Sequence, residues 1–170
     1  IGLEYVKQLL DHGYTVYAGY RSDVGGLAAI QTAELHINTL DVADDESVSN
    51  FALKLPDRVD LLINNAGVGD GRWPSVEMID ATQSLEVLNI NAIGPVRLTQ
   101  AVLPKMQHSE LSKVAMISSL MGSIEDCMSG RSYAYRASKS ALNMFGMAMK
   151  NELLKINVSV LLLHPGWVQT

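Results

Sequence analysis

Helical and strand-like patterns alternate along the chain, and this alternation constrains the fold more than any other feature of the sequence. Residues 59–63 and 158–163 are short runs that are apolar apart from Asp60 and Ser159, and such runs are typical of strands buried on both faces of a parallel sheet. The other predicted elements are strands at 14–20, 35–40 and 114–118 and helices at 3–10, 47–55, 79–106 and 135–154. Gly94 and Pro95 should bend or split the helix at 79–106. We therefore expect an α/β fold, with a doubly wound parallel sheet covered by helices on both faces.

The composition fits one domain that spans residues 1–170. The chain has 170 residues, 48% of them hydrophobic, which is enough for a sizeable core. It has no apolar run near the length of about 18 residues that a membrane span needs. The net charge is −5 and the basic residues are not clustered, which argues against a nucleic-acid partner. Cys127 is the single cysteine, so an internal disulfide is excluded and a reducing cytoplasm is the expected compartment.

Tyr135 and Lys139 form the motif with the most chemical content. Residues four apart on a helix lie on one face, so the phenol and the amine of this pair should meet. An ammonium held beside a phenol stabilises the phenolate and prepares the tyrosine for acid–base catalysis. The same spacing occurs by chance on many surface helices, so the pair gains weight only from the motifs around it.

Four further motifs accompany this helix in a fixed order. They are Asn64-Asn65-Ala66-Gly67, Asn91-Ala92-Ile93-Gly94, Ile117-Ser118-Ser119-Leu120-Met121-Gly122 and Pro165-Gly166-Trp167-Val168-Gln169-Thr170. Together with Tyr135 and Lys139 they resemble the short-chain dehydrogenase/reductase family, over essentially the whole chain. The resemblance implies a Rossmann-like fold and an oxidoreductase that moves a hydride between a nicotinamide cofactor and a small carbonyl or alcohol substrate.

The resemblance also assigns four catalytic residues. Tyr135 is expected to exchange a proton with the substrate oxygen, and Lys139 to stabilise the phenolate and hold the nicotinamide ribose. Ser119 is expected to hydrogen-bond the substrate oxygen, and it matches the family position better than its neighbour Ser118. Asn91 is expected to fix a water molecule that links Lys139 to bulk solvent.

The end of the second predicted strand bears on the choice of cofactor. In such folds an acidic residue at this position binds the ribose hydroxyls of NAD, whereas a nearby arginine accommodates the additional phosphate of NADP. Here the strand ends at Tyr20 and is followed by Arg21, whose planar, permanently charged guanidinium suits a phosphate. We therefore expect NADP to be preferred, with NAD left open. A solvated arginine without a ligand is the alternative.

Other cofactor contacts follow from matching motif positions. Asp41 and Val42 resemble the family's adenine-contacting pair, although an aspartate there is also a common turn cap. The motif Asn64, Asn65, Ala66 and Gly67 ends a strand where ligands bind in such sheets, and its asparagines can also tie neighbouring strands together. The resemblance further assigns Pro165 and Gly166 to the nicotinamide wall, and Val168 and Thr170 to carboxamide and phosphate contacts.

Both ends of the sequence match interior positions of the family domain. Ile1 and Gly2 resemble the last residues of the family's glycine-rich cofactor turn, and the family continues beyond the position of Thr170. We therefore expect a part of a longer enzyme that lacks the first strand and the C-terminal substrate segment. Because the first strand is central in the family's sheet, a strand-wide gap of about 9–10 Å is expected between 14–20 and 59–63, unless these strands collapse together. The chain alone should then be poorly stable and inactive.

The segment between Ser119 and Tyr135 is longer than is common in the family. The additional polar stretch at 125–131 resembles carbonyl reductases related to the bacterial C-factor, and it should influence substrate choice. Within it, Cys127 has no evident partner base and is interpreted as a passive thiol. A second candidate wall of the substrate site is 69–74, for which an ordinary surface loop is the alternative.

Two other residue types do not indicate a site. Met144, Met147 and Met149 lie on the predicted helix at 135–154, where we expect core packing or a subunit interface. The histidines show no spacing typical of metal ligands; they are His12, His36, His108 and His164.

Two alternatives to an active reductase remain open on sequence grounds. The first is an NADP-binding signalling or regulatory protein of the same fold without significant turnover. The second is a chain whose catalytic residues are present but inactive. The substrate, the reaction direction and the assembly into homo-oligomers are not determined by the motifs.

Overall fold

The computed structural model describes residues 1–107 and 111–168 of the chain. Its helices are α1 Gly2–Asp11, α2 Asp45–Leu53, α3 Ala81–Leu88, α4 Gly94–Val102 and α5 Tyr133–Leu153. Its strands are β1 Val16–Tyr20, β2 Leu35–Thr39, β3 Leu61–Asn64, β4 Ser112–Ile117 and β5 Val158–Leu163. The predicted alternation of helices and strands is confirmed, with element ends that shift by a few residues.

The long helix predicted at 79–106 is interrupted. Helix α3 ends at Leu88, a π-helical turn covers Asn89–Ile93, and α4 starts at Gly94 with Pro95 in its first turn. Proline is tolerated there because the first amides of a helix have no intrahelical acceptor. The predicted split is confirmed, but the interruption lies before Gly94 and is a π turn rather than a proline kink.

The five strands in the described part of the chain are parallel, and they form two separate sheets. Strand β1 pairs with β2, with Val16 opposite Leu35, and β4 lies between β3 and β5. In β4, four consecutive residues from Val114 to Ile117 are buried, so both faces of this sheet are covered. The parallel α/β architecture predicted from the sequence is confirmed.

A cleft separates the two sheets. Strands β1 and β3 are not paired with each other, and both line a cleft of about 970 Å³ that also reaches α1 and α4. Apolar side chains such as Val16, Leu62 and Val102 form part of its wall. The predicted gap is therefore present, and the two strands do not collapse together.

The main hydrophobic core belongs to the sheet of β3, β4 and β5. Buried residues such as Met116 on β4, Leu142 on α5 and Val102 on α4 form one contiguous cluster. Met149 packs against this core as predicted. Met144 and Met147 are 71% and 47% exposed, so core packing is the wrong prediction for them and the subunit interface stays a prediction.

Candidate active site

Helix α5 places Tyr135 and Lys139 one turn apart on one face. The ammonium nitrogen Nζ of Lys139 lies 5.7 Å from the centroid of the Tyr135 ring, within the range of a cation–π contact. The proximity that the four-residue spacing predicts is therefore present in the folded chain.

Lys139 is held in place by burial and by the backbone. Its side chain is only 5% exposed, and Nζ donates a hydrogen bond of 2.8 Å to the carbonyl oxygen of Ile117 at the end of β4. Burial disfavours the charged form and lowers the pKa of Lys139 from 10.5 to about 8. At neutral pH the amine is still mostly protonated, because that pKa lies above 7.

Asn91 lies in the π turn and is fully buried. Its Oδ1 accepts a hydrogen bond from Val68 N at 2.8 Å, and its Nδ2 donates to Val68 O at 2.9 Å and to Ser138 Oγ at 3.0 Å. The side chain thus ties the segment after β3 to helix α5. Isolated π turns are frequent at functional sites because they redirect side chains locally.

Gly67 lies between Asn91 and Lys139. A Cβ atom at Gly67 would come within 3.4 Å of Asn91 Oδ1 and 3.7 Å of Lys139 Nζ. Because Gly67 has no side chain, the space in front of Asn91 Oδ1 and Lys139 Nζ stays open. Such a small residue lets a ligand approach the lysine closely.

The two serines after β4 have different surroundings. Ser118 is buried, and its Oγ donates a hydrogen bond of 2.6 Å to Asn143 Oδ1 on α5. Ser119 is half-buried, and its Oγ accepts a hydrogen bond from Met121 N at 3.2 Å. The Ser119 hydroxyl hydrogen can still be donated to a ligand, whereas Ser118 already donates its own. Ser118 therefore has a structural role, whereas the hydroxyl of Ser119 is available to a ligand.

Gly122 brings the serine loop against α5. A Cβ atom at Gly122 would lie 2.8 Å from the carbonyl carbon of Lys139, so a larger residue has no room. The Gly122 carbonyl oxygen accepts hydrogen bonds from Ser140 Oγ at 2.9 Å and from Asn143 Nδ2 at 3.4 Å. Sequence reasoning missed Asn143, whose role depends on contacts with residues more than 20 positions away.

Six of the residues predicted to bind cofactor line the cleft between the two sheets. They are Gly2, Arg21, Val42, Asn64, Asn65 and Ala66. Gly2 begins α1 next to Asn65: a Cβ atom on Gly2 would approach Asn65 Nδ2 to 2.7 Å. Ile1, Asp41 and Gly67 are not among the residues that line this cleft.

Some of these residues already have structural partners. Asn64 is buried, and its Nδ2 donates to Thr99 Oγ1 on α4 at 3.2 Å. Asp41 Oδ1 accepts from Ala43 N at 2.9 Å, which is the turn-cap alternative considered from the sequence. Val42 is buried in the core, and its carbonyl oxygen accepts a hydrogen bond from Arg97.

Arg21 and Asn65 have exposed side chains at the same cleft. Exposure leaves the guanidinium and the amide accessible to a ligand.

The segment after β5 reaches the serine loop. His164 Nδ1 accepts a hydrogen bond from Leu120 N at 3.3 Å, next to Ser119. Pro165 and Gly166 follow, with Gly166 in the left-handed region at φ 77°, and Val168 is exposed. Gln169 and Thr170 lie outside the described residues, so the contact predicted for Thr170 stays a prediction.

The loop at 69–74 is not an open substrate wall at Trp73. Trp73 is only 9% exposed and packs with Val87 of α3 and Ala134 of α5. This residue therefore anchors the loop, because burying the indole removes a large apolar surface from water. Arg72 is exposed, and its φ of 49° is in the left-handed region.

The stretch at 125–131 lies on the surface. Cys127 is exposed, and its thiol lies 3.7 Å from the backbone oxygen of Ser129. Ile124 and Met128 are 83% and 90% exposed beside it.

Within residues 1–107 and 111–168, no group of three or more His, Cys, Asp or Glu side chains could hold a metal ion. None of the helices in that part of the chain is long and apolar enough to cross a membrane.

Comparisons with known proteins agree with this geometry. The family model described as short chain dehydrogenase matches residues 1–170. The chain is 46% identical to C-signal of Myxococcus xanthus over 112 residues, which are 66% of this chain and 67% of that protein. It is 38% identical to 1-hydroxy-2-glutathionyl-2-methyl-3-butene dehydrogenase of Rhodococcus sp. (strain AD45) over 169 residues, or 96% of this chain and 71% of that protein.

A solved structure has the same fold. It is the NADPH-bound carbonyl reductase from chicken fatty liver, which superposes with a TM-score of 0.88 at 32% identity and covers 99% of this chain and 76% of its own. The fold, the ordered motifs and the sequence relatives therefore agree, and this chain belongs to the short-chain dehydrogenase family of oxidoreductases.

Proposed function

We propose that the protein reduces a carbonyl group with NADPH and that Tyr135 donates the proton. The observation that carries this proposal is the buried ammonium of Lys139, held 5.7 Å from the Tyr135 ring by a hydrogen bond to Ile117 O. A pure binding module gains nothing from a lysine buried beside a half-buried phenol, because burying an amine is unfavourable.

The residues present fit a nicotinamide dinucleotide. Gly2 begins α1, where backbone amides attract phosphate groups, and it lies beside Asn65 after β3. The space beside Gly67 faces Lys139 and Asn91, which could hold the ribose end of such a ligand. Pro165, Gly166 and Val168 follow β5 and would form the wall beside the nicotinamide. When bound, reduced NADP supplies the hydride for the carbonyl carbon.

The side chains of this chain would handle the carbonyl oxygen. Ser119 would donate a hydrogen bond to it and so share the developing negative charge. Tyr135 would then transfer its phenolic proton to the same oxygen. Lys139 would stabilise the phenolate that remains, because an adjacent positive charge favours the anion.

Asn91 would act mainly by positioning. Its Nδ2 hydrogens are both donated, to Val68 O and to Ser138 Oγ, so the amide fixes the groups around Lys139. We keep the proposed water beside Lys139. This water would donate a hydrogen bond to an oxygen atom of Asn91, because both Nδ2 hydrogens of Asn91 are already donated to other groups.

We further propose that Arg21 selects NADP over NAD. Its exposed guanidinium stands directly after β1 at the cleft, and it can make charge-assisted hydrogen bonds to a phosphate. The chicken carbonyl reductase that shares the fold is described with bound NADPH, which supports the same cofactor here.

A second candidate is a signalling protein that binds NADP without turnover. The 46% identity to the protein named C-signal favours this alternative. The two candidates differ in one observable, because only the reductase consumes NADPH in the presence of a carbonyl compound.

The test is Tyr135→Phe in the complete reading frame that contains this chain. NADPH oxidation is followed with a panel of aldehydes, ketones and quinones that begins with para-nitrobenzaldehyde. We expect turnover to fall by about a hundredfold to ten-thousandfold, with the NADPH dissociation constant unchanged within a few-fold, because only the proton donor is lost. Tyr133→Phe, two residues earlier on α5, is the matched control and should keep the wild-type rate.

A Tyr135→Phe variant that retains half of the wild-type rate would show that the acid–base assignment is wrong. Wild-type protein that binds NADPH but oxidises it with none of the carbonyl compounds would favour the signalling candidate.

A further inference from the structure

Helix α5 starts without a capping side chain from its own N-cap residue. Ser132 precedes the helix with φ 50°, in the left-handed region, and its side chain makes no capping hydrogen bond. The first amides of a helix have no intrahelical acceptor and need one from elsewhere. Tyr135 is the third residue of α5, so its amide is one of these groups.

Asp70 supplies the missing acceptor from a distant part of the chain. Its Oδ2 accepts a hydrogen bond from Tyr135 N at 3.2 Å, across 65 residues of sequence. Its Oδ1 accepts from Arg72 N at 3.1 Å, so both carboxylate oxygens are engaged. A carboxylate at this end also interacts favourably with the helix dipole.

The loop that carries Asp70 is fixed on its other side. Trp73 is buried against Val87 of α3 and Ala134 of α5. The carboxylate is therefore held at the helix start by a buried indole three residues away. Loop and helix start form one packed unit.

We propose that Asp70 is a positioning residue that holds Tyr135 in its place one helical turn before Lys139. The hydrogen bond is made to the amide of Tyr135 itself, which lies only two residues inside the helix. Without this acceptor the first turn of α5 frays, and Tyr135 moves relative to Lys139, which stands one turn further along and is held by Ile117 O. This inference rests on the proposed role of Tyr135.

The experiment compares three variants of the complete protein. Asp70→Ala removes both acceptors. Asp70→Asn keeps one side-chain oxygen, which is a good cap by itself. Asp80→Ala is the matched control, because Asp80 Oδ1 caps α3 through Gln83 N at 2.9 Å and touches neither Tyr135 nor Lys139 through a hydrogen bond.

For Asp70→Ala we expect kcat to fall by about tenfold, with the KM for NADPH unchanged within about twofold. Asp70→Asn should recover kcat to within about threefold of wild type, since asparagine ranks with aspartate as a cap. Asp80→Ala should lower the melting temperature as much as Asp70→Ala does and leave kcat unchanged.

Hydrogen exchange at the Tyr135 amide gives a readout that does not depend on turnover. Its protection should fall by about tenfold in Asp70→Ala and stay unchanged in Asp80→Ala. Unchanged kcat in a folded Asp70→Ala variant, or an Asp70→Asn variant no better than Asp70→Ala, would overturn the proposal. Failure of the proposed function would instead appear as an active Tyr135→Phe variant, whatever the exchange data show.

Discussion

The two sheets differ in how firmly they hold their candidate residues. Among the residues that the structure describes, the sheet of β3, β4 and β5 is built on a cluster of fourteen buried residues, whereas the cluster around β1 has three. Lys139 and Asn91 each make side-chain hydrogen bonds to neighbouring elements. Arg21, at the end of β1, is exposed on the cleft.

This difference separates two requirements of the proposed reaction. Proton transfer needs groups held within a fraction of an ångström, and close packing around α5 provides that order. Recognition of a phosphate by a surface arginine tolerates more motion, because the charge acts over a longer range. The chemistry is therefore expected to depend on the packed sheet, and the cofactor choice on the open one.

The largest expected effect concerns the cleft itself. Residues 1–170 expressed alone should have a free energy of unfolding below the usual 5–15 kcal/mol, because β1 and β3 face an open cleft instead of each other. Urea unfolding followed by circular dichroism measures this quantity, and NADPH fluorescence measures binding, which should be weak. Cooperative unfolding with a free energy in the usual range, together with NADPH-dependent activity, would contradict this prediction. The sheet of β1 and β2 would then be held as firmly as the sheet of β3, β4 and β5.

The next effect tests the packing of the catalytic sheet. Gly122→Ala would place a methyl group 2.8 Å from the carbonyl carbon of Lys139, and helix backbone cannot move aside easily. We expect a stability loss of about 1–3 kcal/mol, and a kcat lower by about a hundredfold because Lys139 and Ser119 shift. Thermal unfolding and steady-state kinetics give both values.

Gly69→Ala is the control for this variant. An added Cβ at Gly69 meets no atom within 4 Å, so the stability should stay the same. Equal stabilities for the two variants would mean that the serine loop can move away from α5 far enough to accommodate the added methyl group.

The parts of the fold that sequence predicts well are those set by local periodicity. Strand β5 has the predicted bounds, because a valine- and leucine-rich run that only Ser159 interrupts has no competing helical pattern. The π turn at Asn89–Ile93 was not predicted, since it follows from how α3 and α4 pack and not from a local signal.

Side-chain surroundings are the part that sequence could not supply. The loop at 69–74 was a candidate wall of the substrate site, yet its residue Trp73 is buried by neighbours on α3 and α5. The hydrogen bonds from Tyr135 N on α5 to Asp70 and from Ser118 Oγ to Asn143 join residues far apart in the chain. Residue type and spacing identify which side chains can take part in a reaction. Burial decides which of these side chains remain accessible to a ligand.

A smaller effect is expected at the open sheet. Arg21→Ala should weaken NADPH binding by about 1.5–3 kcal/mol, the usual contribution of a hydrogen bond to a charged group, and leave NADH binding nearly unchanged. Isothermal titration with both cofactors measures the difference. Arg72→Ala, an exposed arginine outside the cleft, should change neither affinity. Equal losses for NADPH and NADH in Arg21→Ala would show that Arg21 does not read the phosphate.

The smallest expected effect is a pH dependence that arises in the packed sheet. Burial lowers the pKa of Lys139 to about 8, so the folded protein loses this proton well below 10.5, the ordinary value. The ammonium that stabilises the phenolate is then present below pH 8 and is lost as the pH rises through 8. We expect kcat/KM for carbonyl reduction to decline across that range.

The sign for stability is opposite. Above pH 8 the unfolded chain retains the proton that the folded chain has lost, so the unfolded state binds more protons and the contribution of Lys139 to stability rises with pH. Urea unfolding of wild type and Lys139→Met at pH 7 and pH 9.5 isolates this contribution, with both pH values flanking about 8. If the difference in unfolding free energy between wild type and Lys139→Met is the same at both pH values, Lys139 titrates as an exposed lysine does. Burial in the packed sheet would then have no effect on the pKa of this residue.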